Sequence, residues 1–399
     1  MQIHLSTKEL KAFRTPFPAA PLVKPDIHSK RPLHIALVAP PYFDIPPAGY
    51  GGVEAVVATL ADELVERGHR VTLLGAGKSG GRAEFVQLWE TTRSAELGTP
   101  YPEIVNTLKA WHAVSALHER HPVDIVHDHT FAGPLNAPGY HNLGIPTVVT
   151  VHGPVDPDMH RYYRAFDPSV RLIAISDRQR ELAPDLHWIA RVHNAIRPAE
   201  WPFRAEKSEY ALFLGRYAPY KGPHLALDAA HAAGVPLVLA GKCNEPPERA
   251  YFEQRVRPLL TDQDTVFGEA DAVAKRRLLA EARCLIFPVQ WEEPFGIVML
   301  EAMVCGTPVV ALRGGAVAEV VEHGVTGWIC DDPAELPEAI ARAGDLDPRA
   351  CRRRVEELFA ADHFAHGYET AYYRAIAAAD TPLAALELPV ALPTPSSLR

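Results

Sequence analysis

The sequence has no excess of positive charge. Its 40 Lys and Arg residues are outnumbered by 49 Asp and Glu residues, which gives a formal net charge of −9. A protein that binds nucleic acid normally carries a basic excess on the surface that meets the phosphates. The composition therefore argues against nucleic acid as a partner.

Long apolar runs are also missing. No stretch approaches the roughly 20 apolar residues that span a bilayer. The first residues include Lys8, Glu9, Lys11 and Arg14 instead of a continuous apolar segment, which argues against a secretory signal. We also find no basic amphipathic helix with an aromatic face, of the kind that binds anionic membranes. We expect no stable membrane insertion and a cytoplasmic location.

Cysteine is scarce, with five residues and no CxxC pair. An odd number of cysteines without paired spacing argues against a disulfide framework and against a cysteine-based metal site. We expect reduced cysteines that mostly lie in apolar surroundings. They are Cys243, Cys284, Cys305, Cys330 and Cys351.

The length and composition predict two domains. A chain of 399 residues exceeds what one hydrophobic core usually supports, and 47% hydrophobic residues suffice for a core in each half. A stretch with prolines and mixed charges at 194–209 is the best linker. We predict an extended tail at 1–32, a first domain at 33–200, a second domain at 206–361 and a proline-rich tail at 381–399.

Short β-branched runs alternate with amphipathic helical segments from about residue 33 to residue 345. This alternation is typical of parallel βαβ units. The predicted strands are 33–39, 70–74, 123–127, 146–152 and 171–176, then 210–215, 236–241, 265–268, 284–289 and 308–312. The predicted fold class is α/β, with two doubly wound domains and a ligand site in the cleft between them.

The segment WEEPFGIVMLEAMVCGTPVV, residues 291–310, places Glu301 within an otherwise apolar helix. Burial of an unpaired carboxylate costs several kcal/mol, so a partner is needed. The two adjacent hydroxyls of a ribose suit a carboxylate, and Glu293, eight positions earlier, could reach a second polyol. The alternative is that Glu301 ties down a neighbouring loop, while Glu292 and Glu293 are solvated.

Two glycine-containing loops could bind an anion. GRYAPYKG at 215–222 follows a predicted strand and places Arg216 and Lys221 on one loop, where they would match a diphosphate. PPAGYGGVEAVV at 46–57 leads from Gly51 and Gly52 into a helix whose free N–H groups favour an anion. A surface basic pair and a flexible turn are the alternative interpretations.

Three histidines lie at the ends of predicted strands. His127 and His129 lie in VHDHT, and His152 lies in VTVHGP. No third ligand stands at a recognisable metal spacing, so we expect no metal site. His152, at the end of a central strand, is the best placed to face the cleft, although histidines that cap a strand are also common.

Together, GYGGVE, VHG, GRYAPYKG and EPFGIVMLEAMVCGTPVVA resemble glycosyltransferase family 4. The resemblance covers about residues 33–345, and its most specific element is the Glu293-x7-Glu301 pair. It implies the GT-B fold, with two facing Rossmann-like domains and retention of anomeric configuration. The segment at 362–380 resembles the family's last helix, which returns to the first domain.

The resemblance also implies a role for each matching position. Arg216 and Lys221 would hold the donor diphosphate, and Glu301 would hold the ribose. Glu293 would hold the donor sugar. The backbone of Phe295, Gly296 and Ile297 would assist it, Gly51 and Gly52 would touch phosphate, and His152 would stand beside the sugar at the reaction centre.

We therefore expect a retaining hexosyltransferase that uses a nucleotide-diphosphate sugar, with UDP-glucose as the best guess, and needs no metal or other cofactor. The acceptor would be a small soluble molecule held near Tyr42, Phe43, Asp44 and Tyr50, at typical positions for variable loops. Alternatives are a non-catalytic nucleotide-sugar-binding protein, a phosphorylase or epimerase of the same fold, or an NAD-dependent oxidoreductase. The last fits poorly, because the loop after the first strand is too long for a tight GxGxxG turn. The sequence leaves the oligomeric state and the role of the N-terminal extension open.

Overall fold

The computed structural model describes residues 31–379, which form two parallel sheets covered by helices. The first sheet contains β1 (His34–Val38), β2 (Arg70–Ala76), β3 (Glu84–Trp89), β4 (Ile125–Asp128), β5 (Thr147–Val151), β6 (Arg171–Ala174) and β7 (Trp188–Arg191). The second contains β8 (Ala211–Leu214), β9 (Leu237–Ala240), β10 (Thr265–Gly268), β11 (Cys284–Phe287), β12 (Val309–Leu312) and β13 (Gly327–Cys330). The predicted tails lie outside the described residues, except for residues 31 and 32.

Helices connect and cover these strands. The first half carries α1 (Gly52–Glu66), α2 (Pro100–Arg120), α3 (Ala137–Asn142), α4 (Pro157–Arg164) and α5 (Asp177–Leu182). The second carries α6 (Pro223–Ala232), α7 (Pro246–Tyr251), α8 (Ala272–Glu281), α9 (Ile297–Val304), α10 (Val317–Val320), α11 (Leu336–Ala341), α12 (Pro348–Leu358) and α13 (Ala361–Ala379). Among residues 31–379, no helix combines the length and apolar character needed to cross a membrane.

Both sheets have the doubly wound strand order. The first runs β3-β2-β1-β4-β5-β6-β7 and the second runs β10-β9-β8-β11-β12-β13, with parallel pairing throughout the recorded ladders. The strand order therefore reverses between β1 and β4, and again between β8 and β11. Ligands bind outside the carboxyl ends of strands at such points. The structure confirms the predicted α/β class with two Rossmann-like domains.

The last described helix packs on the first sheet. Val57, Leu60 and Leu64 of α1 belong to one buried cluster together with Tyr368 and Tyr372 of α13. The apolar positions of α1 recur at helical spacing, so one face of the helix is buried and the other is solvated. The chain thus returns from the second sheet to the first after α12.

Two sets of polar contacts join the halves beside the cleft. Glu319 of α10 accepts hydrogen bonds from the backbone N–H groups of Asp177 and Arg178, at the start of α5, over 2.8 and 2.9 Å. The Arg178 guanidinium donates two bonds of 2.9 Å to the Glu292 carboxylate. A bidentate Arg–carboxylate pair fixes orientation as well as distance. Glu292 is therefore an inter-domain contact and is separate in role from Glu293.

Candidate active site

The glycine-rich loop ends where α1 begins. Gly51 has φ 141°, and a Cβ there would lie 2.9 Å from Cβ of Pro47, so the loop requires glycine. Among the described residues, no side chain caps the helix that starts at Gly52, and an added Cβ at Gly52 would meet nothing within 4 Å. The N–H groups of Gly52 and Val53 are therefore available to a ligand, at the positive end of the helix.

Residues near both ends of the loop after β8 hold it against neighbouring segments. The buried Tyr217 hydroxyl donates to the Leu239 carbonyl over 3.1 Å. Gly222 has φ 71°, and a Cβ there would lie 2.4 Å from the Pro288 carbonyl oxygen. The turn between them presents Arg216 and Lys221 at the carboxyl end of the second sheet, as the sequence predicted.

Both cations of this loop already have carboxylate neighbours. Arg216 Nε lies 3.4 Å from Oε1 of the buried Glu248, and its guanidinium donates to the Tyr220 hydroxyl. Lys221 Nζ lies 2.5 Å from Glu293 Oε2. These contacts orient the two side chains before any ligand arrives, which lowers the entropic cost of binding an anion.

Glu293 lies in the loop between β11 and α9 and is buried. Its Oε2 accepts hydrogen bonds from Lys221 and from the Trp291 indole N–H, which is 2.7 Å away. A Cβ on Gly315 would lie 2.0 Å from the Glu293 carbonyl oxygen, so the backbone at Gly315 packs closely against the backbone of Glu293. The described residues form no hydrogen bond to Oε1, which leaves that oxygen available to a polyol.

Glu301 is buried in α9, but it is not a solitary charge. Lys275 of α8 donates to Glu301 Oε1 over 2.6 Å. This partner cannot be read from the apolar pattern of α9, because the lysine comes from another helix. Within the described part of the chain, Oε2 receives no hydrogen bond, so a diol could still bind this carboxylate.

The predicted residues meet in one cleft. A cavity of about 400 Å³ is lined by His152, Arg216, Lys221, Glu293, Gly296 and Ile297. A second cavity of about 210 Å³ is lined by Gly51, Gly52, Arg216, Ile297 and Glu301. Because both are lined by Tyr50, Arg216 and Ile297, they are parts of one cleft between the carboxyl ends of the two sheets.

Phe295 differs from the other predicted residues because its side chain points into the core. It is 2% exposed and packs against His193 and Phe359. It does not line either cavity. Gly296, which follows it, has φ 76° and allows the chain to turn into α9. Any contact of Phe295 with a ligand would therefore come from its backbone, which is the role that the family resemblance implies.

His152 reaches the cleft at the end of a buried histidine network. Its Nε2 lies 2.8 Å from His129 Nδ1, while His127 bonds the Tyr372 hydroxyl over 2.7 Å and the Thr150 hydroxyl over 2.8 Å. Burial lowers the pKa of His152 to about 4, so the ring is neutral at neutral pH. His152 can therefore offer a hydrogen bond in the cleft but not a positive charge.

Two further cations of the cleft were not predicted. Lys242 and Lys275 line the 210 Å³ cavity with Arg216. Lys242 is the second residue after β9, so the strand-end rule that pointed to Arg216 could have found it. Lys275 lies within α8, and no local pattern marks its pairing with Glu301.

A third cavity, of about 390 Å³, adjoins the cleft on the side of the first sheet and shares Tyr50 and His152 with it. Tyr42, Phe43 and Tyr50, which the sequence analysis places near the acceptor, line it. Asp44 does not, because its carboxylate accepts a hydrogen bond of 2.8 Å from the Lys78 backbone. We call this space the aromatic cavity.

One group within residues 31–379 has the composition of a metal site. Potential ligand atoms of Asp177, His193 and Glu319 lie within 4.8 Å of one another. However, Glu319 already accepts hydrogen bonds from His193 and from the backbone at the start of α5. These contacts explain why the three side chains lie together: they belong to the contact between the two domains.

Comparison with known proteins gives the same assignment for both halves. A model described as Glycosyltransferase Family 4 matches residues 50–200, and a model described as Glycosyl transferases group 1 matches residues 199–355. The two matches adjoin in the segment between the sheets.

Relatives and solved structures show how far the similarity extends. YtcC of Bacillus subtilis, which is named as a glycosyltransferase, is 32% identical over 187 residues, 42% of this chain and 46% of that protein. The N-acetyl-alpha-D-glucosaminyl L-malate synthase of Bacillus anthracis is 27% identical over 81% of this chain and 94% of its own. AviGT4, a glycosyltransferase involved in avilamycin A biosynthesis, superposes with a TM-score of 0.66 at 27% identity, over 87% of this chain and 98% of its own. The chain spans just under half the length, 46%, of the first curated relatives it matches.

Two doubly wound parallel sheets with a ligand cleft between their strand ends define the GT-B class of proteins. The chain belongs to the glycosyltransferase family that its two matching models describe.

Proposed function

We propose that this protein is a retaining glycosyltransferase, which moves a hexosyl group from a nucleotide-diphosphate sugar to a hydroxyl of a small soluble acceptor. The observation that carries the proposal is the convergence of an uncapped helix start, cations and two buried carboxylates in one cleft. This set matches the parts of a nucleotide sugar. UDP-glucose is our proposed donor, on the basis of its frequency in the family.

The diphosphate is assigned to the space between the start of α1 and the loop after β8. Backbone N–H groups at a helix start bind phosphate, and the guanidinium of Arg216 and the ammonium of Lys221 add two charges. The ribose is assigned to the available oxygen of Glu301, and the base to the adjoining space. The hexose then lies near Glu293, His152 and the backbone at Gly296, in the 400 Å³ cavity.

The reaction breaks the bond between the anomeric carbon and the diphosphate. Negative charge grows on the departing phosphate and positive charge on the sugar ring, so preorganised cations near the phosphate stabilise the transition state more than the ground state. Arg216, Lys221 and the helix start would supply this stabilisation without a divalent cation. The acceptor hydroxyl would attack from the face that the diphosphate leaves, with a diphosphate oxygen taking its proton.

Glu293 is assigned a binding role and not that of a covalent nucleophile. One of its oxygens is held by Lys221 and Trp291, which lowers its electron density. The available oxygen can accept hydrogen bonds from sugar hydroxyls. The neutral His152 can contribute a further hydrogen bond on the opposite side of the cleft.

The names of the relatives support transfer of a sugar, without specifying the donor or the acceptor of this chain. The Bacillus anthracis relative is named for an N-acetylglucosaminyl product, and AviGT4 is described as a glycosyltransferase. We propose hexosyl transfer by this chain on that basis. The cytoplasmic location expected from the sequence stays a prediction.

The test is a donor panel of UDP-glucose, ADP-glucose, GDP-glucose and UDP-N-acetylglucosamine. Thermal shift reports binding, and release of the nucleoside diphosphate with and without hydroxyl acceptors reports turnover. We expect one donor to stabilise the protein and to be consumed, and Arg216→Ala to weaken both effects. Binding of a donor without turnover would favour a non-catalytic nucleotide-sugar-binding protein. Turnover that depends on inorganic phosphate would favour a phosphorylase, and a changed sugar without transfer would favour an epimerase. A change in NADH fluorescence on mixing would favour an oxidoreductase.

A further inference from the structure

The aromatic cavity opens beside the donor cleft, at the carboxyl ends of β1, β4 and β5. It is lined from below by the first turn of α1 and from the side by α4. It meets the donor cleft at Tyr50 and His152, so a molecule in it could present a hydroxyl to the proposed sugar position. Its volume of about 390 Å³ suits one small organic molecule.

One wall of the cavity is built from stacked aromatic rings. Phe131 and Tyr162 lie parallel, with ring centroids 4.5 Å apart and an interplanar angle of 9°, and Phe166 meets Tyr162 edge-on at 4.8 Å. Phe131 is nevertheless 54% exposed. An exposed ring that is held in place by its neighbours contributes little to the core, and such surfaces typically contact ligands.

The floor of the cavity carries two buried carboxylates. Glu103 accepts hydrogen bonds from the backbone N–H groups of Phe131 and Ala132 over 3.1 and 3.3 Å, so it is occupied by the protein. Glu54 is 3% exposed, and the described residues provide no donor to its carboxylate beyond its own backbone N–H. Glu54 therefore remains able to accept a hydrogen bond from a bound molecule.

Positively charged side chains are missing from the described lining of this cavity. Among its lining residues, all of which belong to the described part of the chain, none is lysine or arginine. The two lining histidines, His129 and His152, have pKa values lowered by burial and stay neutral at neutral pH. An anion bound here would lose its hydration and would meet Glu54 and Glu103, and no cationic side chain of the described lining would offset this cost. The N–H groups at the start of α1 are assigned to the donor diphosphate.

We propose that the aromatic cavity binds the acceptor, and that this acceptor is an uncharged aromatic alcohol or phenol. Its hydroxyl donates a hydrogen bond to Glu54 on binding and passes the same proton to the diphosphate oxygen during transfer. Phosphorylated and carboxylated acceptors are disfavoured, because no cationic side chain of the described lining would balance their charge. The assignment rests on the proposed transferase function, because it places the acceptor hydroxyl beside the donor sugar.

The test uses 2-naphthol and 6-hydroxy-2-naphthoate, which differ by one carboxylate. Naphthol fluorescence measures binding in the absence of donor, and formation of the glycoside from the best donor measures transfer. We expect 2-naphthol to bind and react at least about tenfold better, since a difference of 1.4 kcal/mol in repulsion is sufficient. At pH 8, above the raised pKa of about 7 of the Glu54 carboxyl, Glu54→Gln should reduce this preference several-fold by improving use of the naphthoate.

Two control variants separate the parts of the proposal. Glu84→Gln removes an exposed carboxylate at the opposite end of the first sheet and should leave the preference unchanged. Phe131→Ala removes an exposed ring, so it should fold normally and weaken naphthol binding without affecting donor binding. Thermal unfolding checks that each variant is folded.

The outcomes distinguish the acceptor assignment from the proposed transferase function. If the donor is bound and hydrolysed but 2-naphthol does not bind, or the naphthoate is used equally well, the acceptor assignment is wrong. A preference that is unchanged in Glu54→Gln also overturns it. If no nucleotide sugar binds or is consumed, while naphthol still binds with the expected preference, the transferase function is wrong and the cavity serves another purpose.

Discussion

Lys275 Nζ lies 2.6 Å from Glu301 Oε1, so among residues 31–379 the buried carboxylate of α9 is paired on one oxygen only. The pair joins α8 to α9 and lies at the wall of the proposed nucleotide site. One oxygen is held in place while the other can accept from a ligand. This arrangement orients the carboxylate without using up its capacity to bind a diol.

Substitution of Glu301 should weaken nucleotide binding through the ribose. We expect Glu301→Ala to raise the donor Kd at least tenfold, because a lost hydrogen bond to a charged group is worth roughly 1.5–3 kcal/mol. Calorimetric titration with the nucleoside diphosphate measures this effect. The 2′,3′-dideoxy nucleotide should bind wild type and variant alike, and a folded variant with unchanged affinity for the ribonucleotide would refute the assignment.

Lys221 should act on the departing diphosphate. We expect Lys221→Ala to lower kcat by about two to three orders of magnitude, comparable with the loss of one preorganised oxyanion donor. It should weaken binding of the nucleoside diphosphate much more than binding of the monophosphate, which lacks the second phosphate. Steady-state kinetics and titration measure the two effects.

The control for this variant is Lys78→Ala, which removes an exposed cation that does not line the cleft. It should leave kcat and both affinities near wild type. A Lys221→Ala protein with normal kcat, or with equal losses for both nucleotides, would show that Lys221 is not placed on the leaving group.

Transfer should not need a divalent cation. We expect turnover in excess EDTA to match turnover with added Mg²⁺, because Arg216, Lys221 and the start of α1 already supply positive charge to the diphosphate. The measurement is the initial rate of nucleoside diphosphate release after removal of metal. Activity that disappears with EDTA and returns with Mg²⁺ or Mn²⁺ would mean that these groups are insufficient.

Glu54 should make the stability of the protein depend on pH. Burial, with a smaller effect from the Glu103 charge, raises the pKa of the Glu54 carboxyl from 4.5 to about 7. Between these values the folded protein binds more protons than the unfolded chain, so the contribution of Glu54 to stability is lost as the pH rises. Glu54→Gln cannot ionise, and its stability relative to wild type should increase from pH 4.5 to pH 8, by roughly 3 kcal/mol at most.

Calorimetric Tm values of both proteins across this range test the expectation. Glu84→Gln, at an exposed position, should show a difference from wild type that is nearly independent of pH. A constant difference for Glu54→Gln would indicate that Glu54 is ionised in the folded protein throughout.

The sequence was sufficient to predict the strands with strong apolar character. All ten predicted strands are present. Nine of them are central strands of parallel sheets, which are buried on both faces and read as continuous apolar runs, and the tenth, β10, lies at a sheet edge. The strands that were missed, β3, β7 and β13, lie at sheet edges. In β3 and β7 several residues are partly exposed, so their sequences carry a weaker signal.

Long-range pairings within the site could not be predicted. The Glu301–Lys275 pair links residues 26 positions apart on different helices, and the His127–Tyr372 bond spans 245 positions. Each depends on packing between elements, which no local pattern records. Residues at strand ends, such as Arg216 and His152, were predictable because the parallel topology alone brings them to one edge.

The anomeric configuration of the product tests the central claim most directly. UDP-glucose, or the donor that the panel selects, is incubated with 2-naphthol and a panel of other hydroxyl acceptors, and the glycoside is examined by proton NMR. From an α-linked donor, the account predicts consumption of the donor and an α-linked product. A β-linked product, or a donor that remains intact with every acceptor, would contradict it.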